Sequence, residues 1–416
     1  MKGTASKKRK RDAAAVSKPK KRKRDAAAVS NPKKSALTVS ILPGPKYWKR
    51  LAPGLHVGDS EFLASVQPIQ LPADAVARLR EQILKDGFFT LPPEALPWAS
   101  SLREMRIGVR RLLKRGWPAT MLLVYDEAWA MVHQLAATMA AVSGGCANSL
   151  DTLAWSITPS LGQSGFAPHR DRQPADVSGS FRRDGTPKYC TAWIALSEAT
   201  TDNSCLYLVP RGHDPGYDAG DDHSADAEDP LLRVFRSSDA AVQSVRACPL
   251  SAGGAVIFTH RAMHWGSKGQ DGCADARISI SFGHTDPSFE KPYFAVPERA
   301  LPFPRIPLRI ALAAAQLICY HERFEFDVAL LRRLGATFRA HKKAFTKEYA
   351  EKVAAEFKSA LDDRQTHAAN DGSGDDDDSD ADAALDDALD AMLDAQASAD
   401  GNLFDDYDDY EEESDD

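Results

Sequence analysis

The chain has 416 residues, of which 43% are hydrophobic and 27% charged, and its formal net charge is −7 at pH 7. This composition allows one large or two modest globular domains. It excludes a membrane protein, because no uninterrupted apolar stretch reaches the roughly 20 residues that cross a bilayer. The basic start is unlike a secretory signal peptide. The six cysteines show no C-x-x-C pairing, so we expect reduced thiols in an intracellular protein.

The two ends of the chain carry opposite charges. Residues 1–36 contain 14 Lys and Arg against 2 Asp and Glu, which gives +12, whereas residues 370–416 contain 21 acidic residues and no basic ones, which gives −21. A charge of only +2 remains for the residues between them. Like-charged runs of this density bury too little apolar surface to fold. We therefore predict a disordered basic arm over residues 1–36 and a disordered acidic tail over residues 366–416.

The basic arm is internally duplicated. The sequence KKRKRDAAAVSKPK at residues 7–20 returns as KKRKRDAAAVSNPK at residues 20–33. Two basic clusters with a short spacer favour nuclear import, with an import receptor as partner. The alternative is a polybasic arm that binds nucleic-acid phosphates without sequence preference, and the two roles are compatible. We expect a nuclear protein, with the cytoplasm as the other location. For the acidic tail, docking on basic proteins and simple solvation both stay open.

Helical patterns flank a β-rich centre. Residues 73–86 carry an apolar face at helical spacing, and residues 126–143 are rich in Ala, Met and Leu. Between Thr152 and about Gly283, short β-rich runs alternate with Gly, Pro and Asp, which predicts a barrel. Helical spacing returns over residues 308–320, 327–338 and 342–361, which predicts a C-terminal helical annex.

The first motif with chemistry is His169-Arg170-Asp171. In an extended segment, side chains two apart point to the same face, so His169 and Asp171 reach one metal while Arg170 points away. His264 follows much later in the chain. Two imidazoles and one carboxylate form a facial triad, the ligand set that holds ferrous iron on one side and leaves positions open for oxygen and a co-substrate.

A basic side chain follows on a strand pattern. The run from Ala255 to His260 is typical of a buried strand and leads to His264. From Arg277 to Gly283, apolar and polar residues alternate strictly, so that Arg277 begins the polar face. A guanidinium is suited to bind the distal carboxylate of a dicarboxylic acid, because it offers two parallel charge-assisted hydrogen bonds and keeps its proton.

The segment from Pro210 to Ala247 is acidic and contains several glycines. It is too long and too polar for an ordinary hairpin loop. We expect either a mobile flap over the mouth of the site or a disordered surface insertion.

These pieces resemble the iron(II)- and 2-oxoglutarate-dependent dioxygenases of the phytanoyl-CoA dioxygenase type. The matching pieces are GFFTLP at residues 87–92, PHRD at 168–171, DNSCLYLVPRGH at 202–213 and the segment from His264 to Phe282. By resemblance, the iron ligands are His169, Asp171 and His264, and the co-substrate residues are Arg277, Trp193 and Ser267. One departure concerns Ser267: Trp265 is inserted where the family usually reads His-Gly-Ser.

The resemblance also implies a fold. It is of the α+β class, a double-stranded β-helix (a jelly-roll or cupin-like barrel) with flanking helices and a C-terminal helical annex. We expect four parts along the chain: the basic arm at 1–36, the dioxygenase domain at 37–299, a helical extension at 300–365 and the acidic tail at 366–416.

Simpler interpretations of the same residues stay open. An isolated H-x-D is more often a hydrogen-bonded structural pair, although the full set in order favours an iron site over a metal-free barrel. His260 is the rival distal ligand, or a core histidine behind an apolar run. His213 ends a turn-like segment and favours a structural role. Trp193 is equally compatible with plain barrel packing.

The resemblance implies a reaction that consumes 2-oxoglutarate and dioxygen, releases succinate and carbon dioxide, and hydroxylates a C–H bond of a substrate. No residue selects that substrate. A nuclear address favours a protein side chain, a nucleobase or a small nuclear metabolite over a fatty acyl-CoA. The alternative function is a non-catalytic barrel that acts as a nuclear interaction module through its charged tails.

Overall fold

The computed structural model describes residues 41–172, 178–221, 229–237, 240–295, 303–324 and 326–370. All of these belong to one unit, Val39–Asp416. The basic arm at 1–36 and residues 371–416 of the predicted acidic tail lie outside the described residues, so their disorder stays a prediction, whereas residues 366–370 are the end of a helix. Within the described ranges, no helix has the length and apolar character needed to span a membrane.

Five α-helices lie between residues 45 and 143. They are α1 (Pro45–Leu51), α2 (Ser60–Ser65), α3 (Ala73–Asp86), α4 (Leu102–Lys114) and α5 (Asp126–Ser143). The structure confirms the two helices predicted at 73–86 and 126–143. Helix α3 stops at Gly87, whose φ of 82° is a left-handed conformation that glycine adopts without a Cβ penalty. Helix α5 is apolar on most of its circumference, and nearly all of it is buried.

Eight strands form two antiparallel sheets in the described part of the chain. They are β1 (Phe88–Leu91), β2 (Ala147–Ile157), β3 (Tyr189–Ala195), β4 (Leu206–Leu208), β5 (Arg246–Cys248), β6 (Ala255–Thr259), β7 (His264–Gly266) and β8 (Arg277–Thr285). The larger sheet has the order β1-β6-β3-β8-β2, and the smaller one has the order β5-β4-β7. The predicted α+β class is confirmed.

Strand alternation separates the two faces of the larger sheet. In β8, Ile278, Ile280 and Phe282 pack into the main hydrophobic core, which also includes much of α5. Arg277 and Ser281, on the other face of the same strand, line a cavity. The alternation that predicted a polar face at Arg277 therefore places that face towards the cavity.

The segment between Pro210 and Ala247 contains helices. They are α6 (Gly216–Ala219), α7 (Pro230–Ser237) and α8 (Ala241–Ser244). Gly216 and Tyr217 in α6 are buried. Residues 222–228 and 238–239, in the middle of the predicted flap or insertion, lie outside the described residues.

The C-terminal annex consists of three helices, α9 (Ile306–Cys319), α10 (Val328–His341) and α11 (Lys347–Asn370). The last helix starts later than predicted, because a 3-10 turn at Lys342–Ala344 precedes it. It also ends later than predicted, at Asn370. Helix α9 is buried from Leu308 to Ile318 and shares the main core with α5 and the larger sheet. The annex therefore completes the core that holds the sheet in place.

A buried ion pair ties the annex to α5. The Arg309 guanidinium in α9 donates to the Asp126 carboxylate at the start of α5, and both side chains are almost fully buried. Asp126 also accepts hydrogen bonds from the amides of Gly58 (3.1 Å) and Asp59 (2.8 Å). Removing one partner of such a pair leaves the other charge buried without compensation.

We predict that Arg309→Met lowers the free energy of unfolding by about 3–5 kcal/mol in urea denaturation, because the Asp126 carboxylate stays buried and unpaired. The matched control is Arg78→Met, since Arg78 pairs with Asp74 on the exposed face of α3. That control should change stability by less than about 1 kcal/mol. Equal losses in the two variants would show that the Arg309–Asp126 pair does not anchor the annex.

Candidate active site

The two halves of the predicted ligand set meet at one antiparallel bridge. The His169 amide donates to the His264 carbonyl at 3.0 Å, and the His264 amide donates back to the His169 carbonyl at 3.0 Å. His264 opens β7 in the smaller sheet, where it pairs with Leu208 of β4. Backbone hydrogen bonds therefore fix His169 and Asp171 opposite His264, although 93 residues separate Asp171 from His264 in the sequence.

The side chains of His169, Asp171 and His264 offer three ligand atoms within 4.8 Å of one another, and this is the one such group among the described residues. The Asp171 Oδ1 atom lies 3.7 Å from His169 Nε2 and 3.5 Å from His264 Nε2. The Nδ1 atoms point away from the cluster, towards the carbonyls of Ala167 (2.7 Å) and Ala262 (3.0 Å). A carbonyl only accepts, so each neutral imidazole carries its proton on Nδ1 and presents the Nε2 lone pair to the cluster.

The other groups around the cluster suit a cation. Thr191 Oγ1 donates to Asp171 Oδ2, which leaves Oδ1 directed to the imidazoles. Burial, with the nearby His169, lowers the pKa of His264 to about 4, so His264 is neutral at physiological pH. Two imidazoles and one carboxylate fit a divalent iron ion, and the three residues share one side of the cavity.

The cavity lies between the two sheets. Its volume is about 750 Å³, including solvent at its mouth. The lining includes side chains from both sheets and from the annex: Asp151, Leu153, Trp155, Ile157, Phe166, His169, Asp171, Arg172, Tyr189, Thr191, Trp193, Leu206, Phe258, His264, Arg277, Ser281 and Tyr320. The wall is mainly apolar and aromatic, with a few convergent charged groups, as is typical of small-molecule sites.

Arg277 carries a buried charge in this wall. Its side chain is 3% exposed, and its Nη1 atom donates to Ser279 Oγ at 2.9 Å. The Nε atom is buried without a partner, and no carboxylate among the described residues pairs with the guanidinium. Burial lowers the pKa of Arg277 to about 10, so the group stays charged at neutral pH. An uncompensated buried cation facing a cavity fits an anionic ligand such as a carboxylate.

The two remaining predicted co-substrate residues differ in position. Trp193 lines the cavity, and the Arg277 guanidinium lies 5.3 Å from the centre of its ring. Ser267 is not among the lining residues, and its hydroxyl accepts a hydrogen bond from the Gly269 amide at 3.2 Å. The insertion of Trp265 is the signal for this difference, because it shifts the register after His264. The role of Ser267 stays a prediction.

The rival histidines lie outside the cluster. His260 is fully buried, its Nδ1 atom lies 3.1 Å from the Tyr189 carbonyl, and its ring packs against Phe181 and Phe289. Burial lowers the pKa of His260 to about 3. This arrangement is that of a core histidine. His213 ends a 3-10 turn, as its turn-like sequence predicted.

Residues 122–270 match the model of the phytanoyl-CoA dioxygenase family. The matched segment contains His169, Asp171 and His264 and ends shortly before Arg277. This part of the chain is similar to the phytanoyl-CoA dioxygenase family. The resemblance is thereby confirmed, and the protein is a 2-oxoglutarate-dependent oxidoreductase with the family's iron, 2-oxoglutarate and dioxygen. Among curated protein sequences, none matches the chain significantly.

Several solved structures are similar to part of the chain. The epimerase SnoN in complex with Fe3+, alpha ketoglutarate and nogalamycin RO is 20% identical, with a TM-score of 0.40, over 52% of this chain and 85% of its own. AviO1 from Streptomyces viridochromogenes is 21% identical, with a TM-score of 0.37, over 52% and 97%. The carbocyclase SnoK is 16% identical, with a TM-score of 0.37, over 52% and 85%. Likenesses this distant define no reaction or substrate for this protein.

A charged network that no sequence pattern predicts lies beside the ligand loop. Arg172 donates to Asp151 (2.7 Å) and Glu290 (2.6 Å), and Gln316 of α9 donates to Asp151 at 2.9 Å. Tyr349 of α11 donates to the Gln316 side-chain oxygen at 2.8 Å. The annex is therefore linked through Asp151 to Arg172, the residue that follows Asp171.

A local distortion creates this network. The pairing of β2 with β8 shifts register between Asn148 and Thr152, and Leu150 has a φ of 74°, a left-handed conformation rare for a residue with a side chain. Such a bulge re-aims the neighbouring side chains. Asp151 thereby lines the cavity and meets Arg172.

The annex also contributes aromatic rings to the cavity and its surroundings. Phe324 stacks on Trp155 with ring centres 4.6 Å apart, and Trp155 meets Phe166 edge to face at 4.9 Å. Tyr320, at the end of α9, is itself a lining residue. Long-range packing brings these residues together, so no local pattern in the sequence predicts them.

We predict that His169→Ala, Asp171→Ala and His264→Ala each abolish ferrous binding, measured by anaerobic equilibrium dialysis, because each leaves an incomplete facial set. The matched control is His260→Ala, which removes a buried imidazole outside the cluster and should retain the metal. Full iron occupancy in His264→Ala would contradict the assignment of the ligands.

Arg277→Ala should leave the iron affinity unchanged and weaken 2-oxoglutarate binding by about 2–4 kcal/mol, roughly thirty- to a thousandfold, because a buried charge-assisted pair is lost. Arg277→Lys should recover only part of the affinity, since an ammonium forms no fork. Calorimetric titration of 2-oxoglutarate into metal-loaded protein measures both effects. An unchanged affinity in Arg277→Ala would assign the carboxylate to another residue.

Proposed function

We propose that the protein hydroxylates a C–H bond of a substrate that enters the cavity, with consumption of 2-oxoglutarate and dioxygen and release of succinate and carbon dioxide. The observation that carries the proposal is the charged, carboxylate-free Arg277 guanidinium in the same cavity as the His169, Asp171 and His264 cluster. A metal cluster alone fits many hydrolytic sites. A cluster that shares its cavity with an uncompensated buried arginine fits a metal together with an anionic co-substrate.

Each group has a defined task in this proposal. His169, Asp171 and His264 would hold iron, which in a facial triad activates dioxygen during the oxidative decarboxylation of 2-oxoglutarate. Arg277 binds the distal carboxylate and so fixes the orientation of the co-substrate. Trp193 covers one side of the guanidinium and excludes water from the ion pair. We infer that the two sheets form the double-stranded β-helix that the resemblance implies.

The substrate would enter beside the annex. Trp155, Phe166 and Tyr320 line the cavity, and Phe324 supports Trp155 from outside. Flat aromatic side chains at a cavity mouth favour a substrate with an apolar or planar part over a fully hydrated sugar or phosphate. A nucleobase, an aromatic or aliphatic protein side chain and a small metabolite all satisfy this requirement.

The test is 2-oxoglutarate-dependent oxygen uptake by the purified protein reconstituted with iron(II). We expect slow uptake without substrate, with one succinate formed per oxygen consumed, and we expect fractions of a nuclear extract to accelerate it. His264→Ala serves as the inactive control. Protein that binds neither iron nor 2-oxoglutarate and consumes no oxygen would instead support the non-catalytic interaction module.

We further propose that the protein works in the nucleus. The support is the pair of basic clusters in residues 7–11 and 20–24, each with the composition of an import signal. An import receptor and, through phosphate contacts, nucleic acid are the partners that such an arm would bind. The acidic tail, with −21 over residues 370–416, carries the opposite charge and would compete with nucleic acid for the basic side chains of the arm.

We predict that deletion of residues 371–416 strengthens binding to a non-specific DNA duplex at low salt, because the acidic tail no longer masks the basic arm. The difference should disappear at high salt, since the Debye length falls from about 10 Å at 0.1 M to about 3 Å at 1 M. Deletion of residues 1–36 should abolish duplex binding and disperse the protein from the nucleus. Fluorescence anisotropy and microscopy measure these effects, and unchanged duplex binding without the tail would show that the two ends act independently.

A further inference from the structure

The middle residue of the H-x-D motif, Arg170, points away from the cavity into a fully buried site. Its Nη1 and Nη2 atoms donate to the two carboxylate oxygens of Asp214 at 2.5 and 2.7 Å, and its Nε atom donates to Asp221 at 2.6 Å. The side chains of Arg170 and Asp214 are 0% exposed. Both aspartates belong to the segment between Pro210 and Ala247, so this segment holds the residue between the two predicted metal ligands.

A second arginine completes the site. Arg261 donates to the carbonyls of Tyr217 and Gly216, each at 2.9 Å, and its own carbonyl accepts from Arg170. Arg261 lies three positions before His264 in the chain, and Arg170 directly follows His169. The buried charges thus bind the start of α6 to both sides of the His169–His264 bridge.

The packing leaves no spare room. A Cβ added at Gly216 would lie 2.2 Å from Arg170 Nη2 and 2.3 Å from Asp221 Oδ1. Glycine is required at this position because of the close approach, and any side chain would displace the guanidinium or the carboxylate. The backbone of α6 therefore rests directly on the ion pairs.

We propose that Arg170 is a positioning residue, which Asp214 and Asp221 clamp so that His169 and Asp171 stand in register with His264 before a metal arrives. The proposal rests on the proposed function for the identity of the metal site, while the clamp itself is a property of the metal-free protein. It assigns residues 211–221 to the permanent framework of the site and excludes them from a lid that opens and closes.

The ion pairs of Arg170 disfavour other conformations of the segment that carries His169 and Asp171. A buried bidentate arginine–carboxylate pair has one geometry, because both the guanidinium and the carboxylate are planar and their hydrogen bonds are directional. The rotation that turns His169 or Asp171 out of the cavity moves the Arg170 backbone between them, which breaks the pair and leaves buried charges uncompensated. Residues that hydrogen-bond ligand side chains change metal affinity about ten- to a hundredfold when they are mutated. We expect a similar magnitude for a clamp on the ligand backbone.

The experiment compares Arg170→Met with Arg309→Met. Both variants remove a buried arginine from an ion pair with an aspartate, but Arg309 does not line the cavity and pairs with Asp126 in the core. Anaerobic titration with Mn2+ alone should give a dissociation constant ten- to a hundredfold higher for Arg170→Met than for the wild type. Arg309→Met should bind Mn2+ like the wild type, although its melting temperature is also lowered.

Amide hydrogen exchange in the metal-free protein gives a second readout. The clamp predicts faster exchange at His169 and His264, whose amides form the bridge, in Arg170→Met and no local change there in Arg309→Met. Gly216→Ala and Asp221→Asn, which disturb the clamp without removing Arg170, should show the same pattern to a smaller extent. They keep the test available if Arg170→Met does not fold.

The outcomes separate the two ideas. A wild-type protein that binds no Mn2+ contradicts the proposed function, and the exchange data then decide about the clamp. Equal Mn2+ affinity in Arg170→Met and Arg309→Met, with equal exchange at the bridge, would reduce Arg170 to an ordinary contributor to stability and overturn the proposal.

Discussion

The antiparallel bridge between His169 and His264 is the interaction on which the rest of the site depends. A facial metal set needs three ligand atoms on one side of a cavity, and here they come from two segments that are far apart in the sequence. Two backbone hydrogen bonds of 3.0 Å place these segments side by side. The imidazole Nδ1 atoms then bind local carbonyls, which aims both Nε2 atoms at Asp171. The backbone pairing of His169 with His264 therefore determines which side-chain atoms can bind a metal.

Charge compensation distinguishes Arg277 from three other arginines. Arg170, Arg172 and Arg309 each meet a carboxylate in the interior, so their charges are neutralised within the protein. Arg277 is as deeply buried and meets none among the described residues. Because an isolated buried charge is costly, the fold retains a destabilising group at the place where an anionic ligand would compensate it. The same reasoning identifies Arg170, which sits inside the ligand motif, as part of the framework.

Sequence patterns predicted the parts of the site that depend on local periodicity. The H-x-D spacing placed His169 and Asp171 on one face, and the alternation after Arg277 placed that residue on the cavity side. The same patterns could not reveal the contribution of Asp151, which depends on a bulge with a left-handed Leu150. Nor could they reveal Tyr320, which reaches the cavity only because α9 is buried against the sheet.

The segment after His264 departs from the spacing that is usual in the family. Trp265 is inserted there, and Ser267, two positions further on, is absent from the cavity lining. For the H-x-D motif, strand geometry predicted that Arg170 points away from the metal. It did not predict that Asp214 and Asp221 are the partners of Arg170. Their segment was recognised as too long for a hairpin loop, but its acidic residues gave no indication that two of them would be buried.

The most direct test is a crystal structure of the protein with iron(II) and 2-oxoglutarate, prepared without oxygen. The account predicts iron bound to the Nε2 atoms of His169 and His264 and to the Asp171 carboxylate, with the distal carboxylate of 2-oxoglutarate on the Arg277 guanidinium. Iron held by other side chains, or a co-substrate carboxylate bound to a cation other than Arg277, would contradict it.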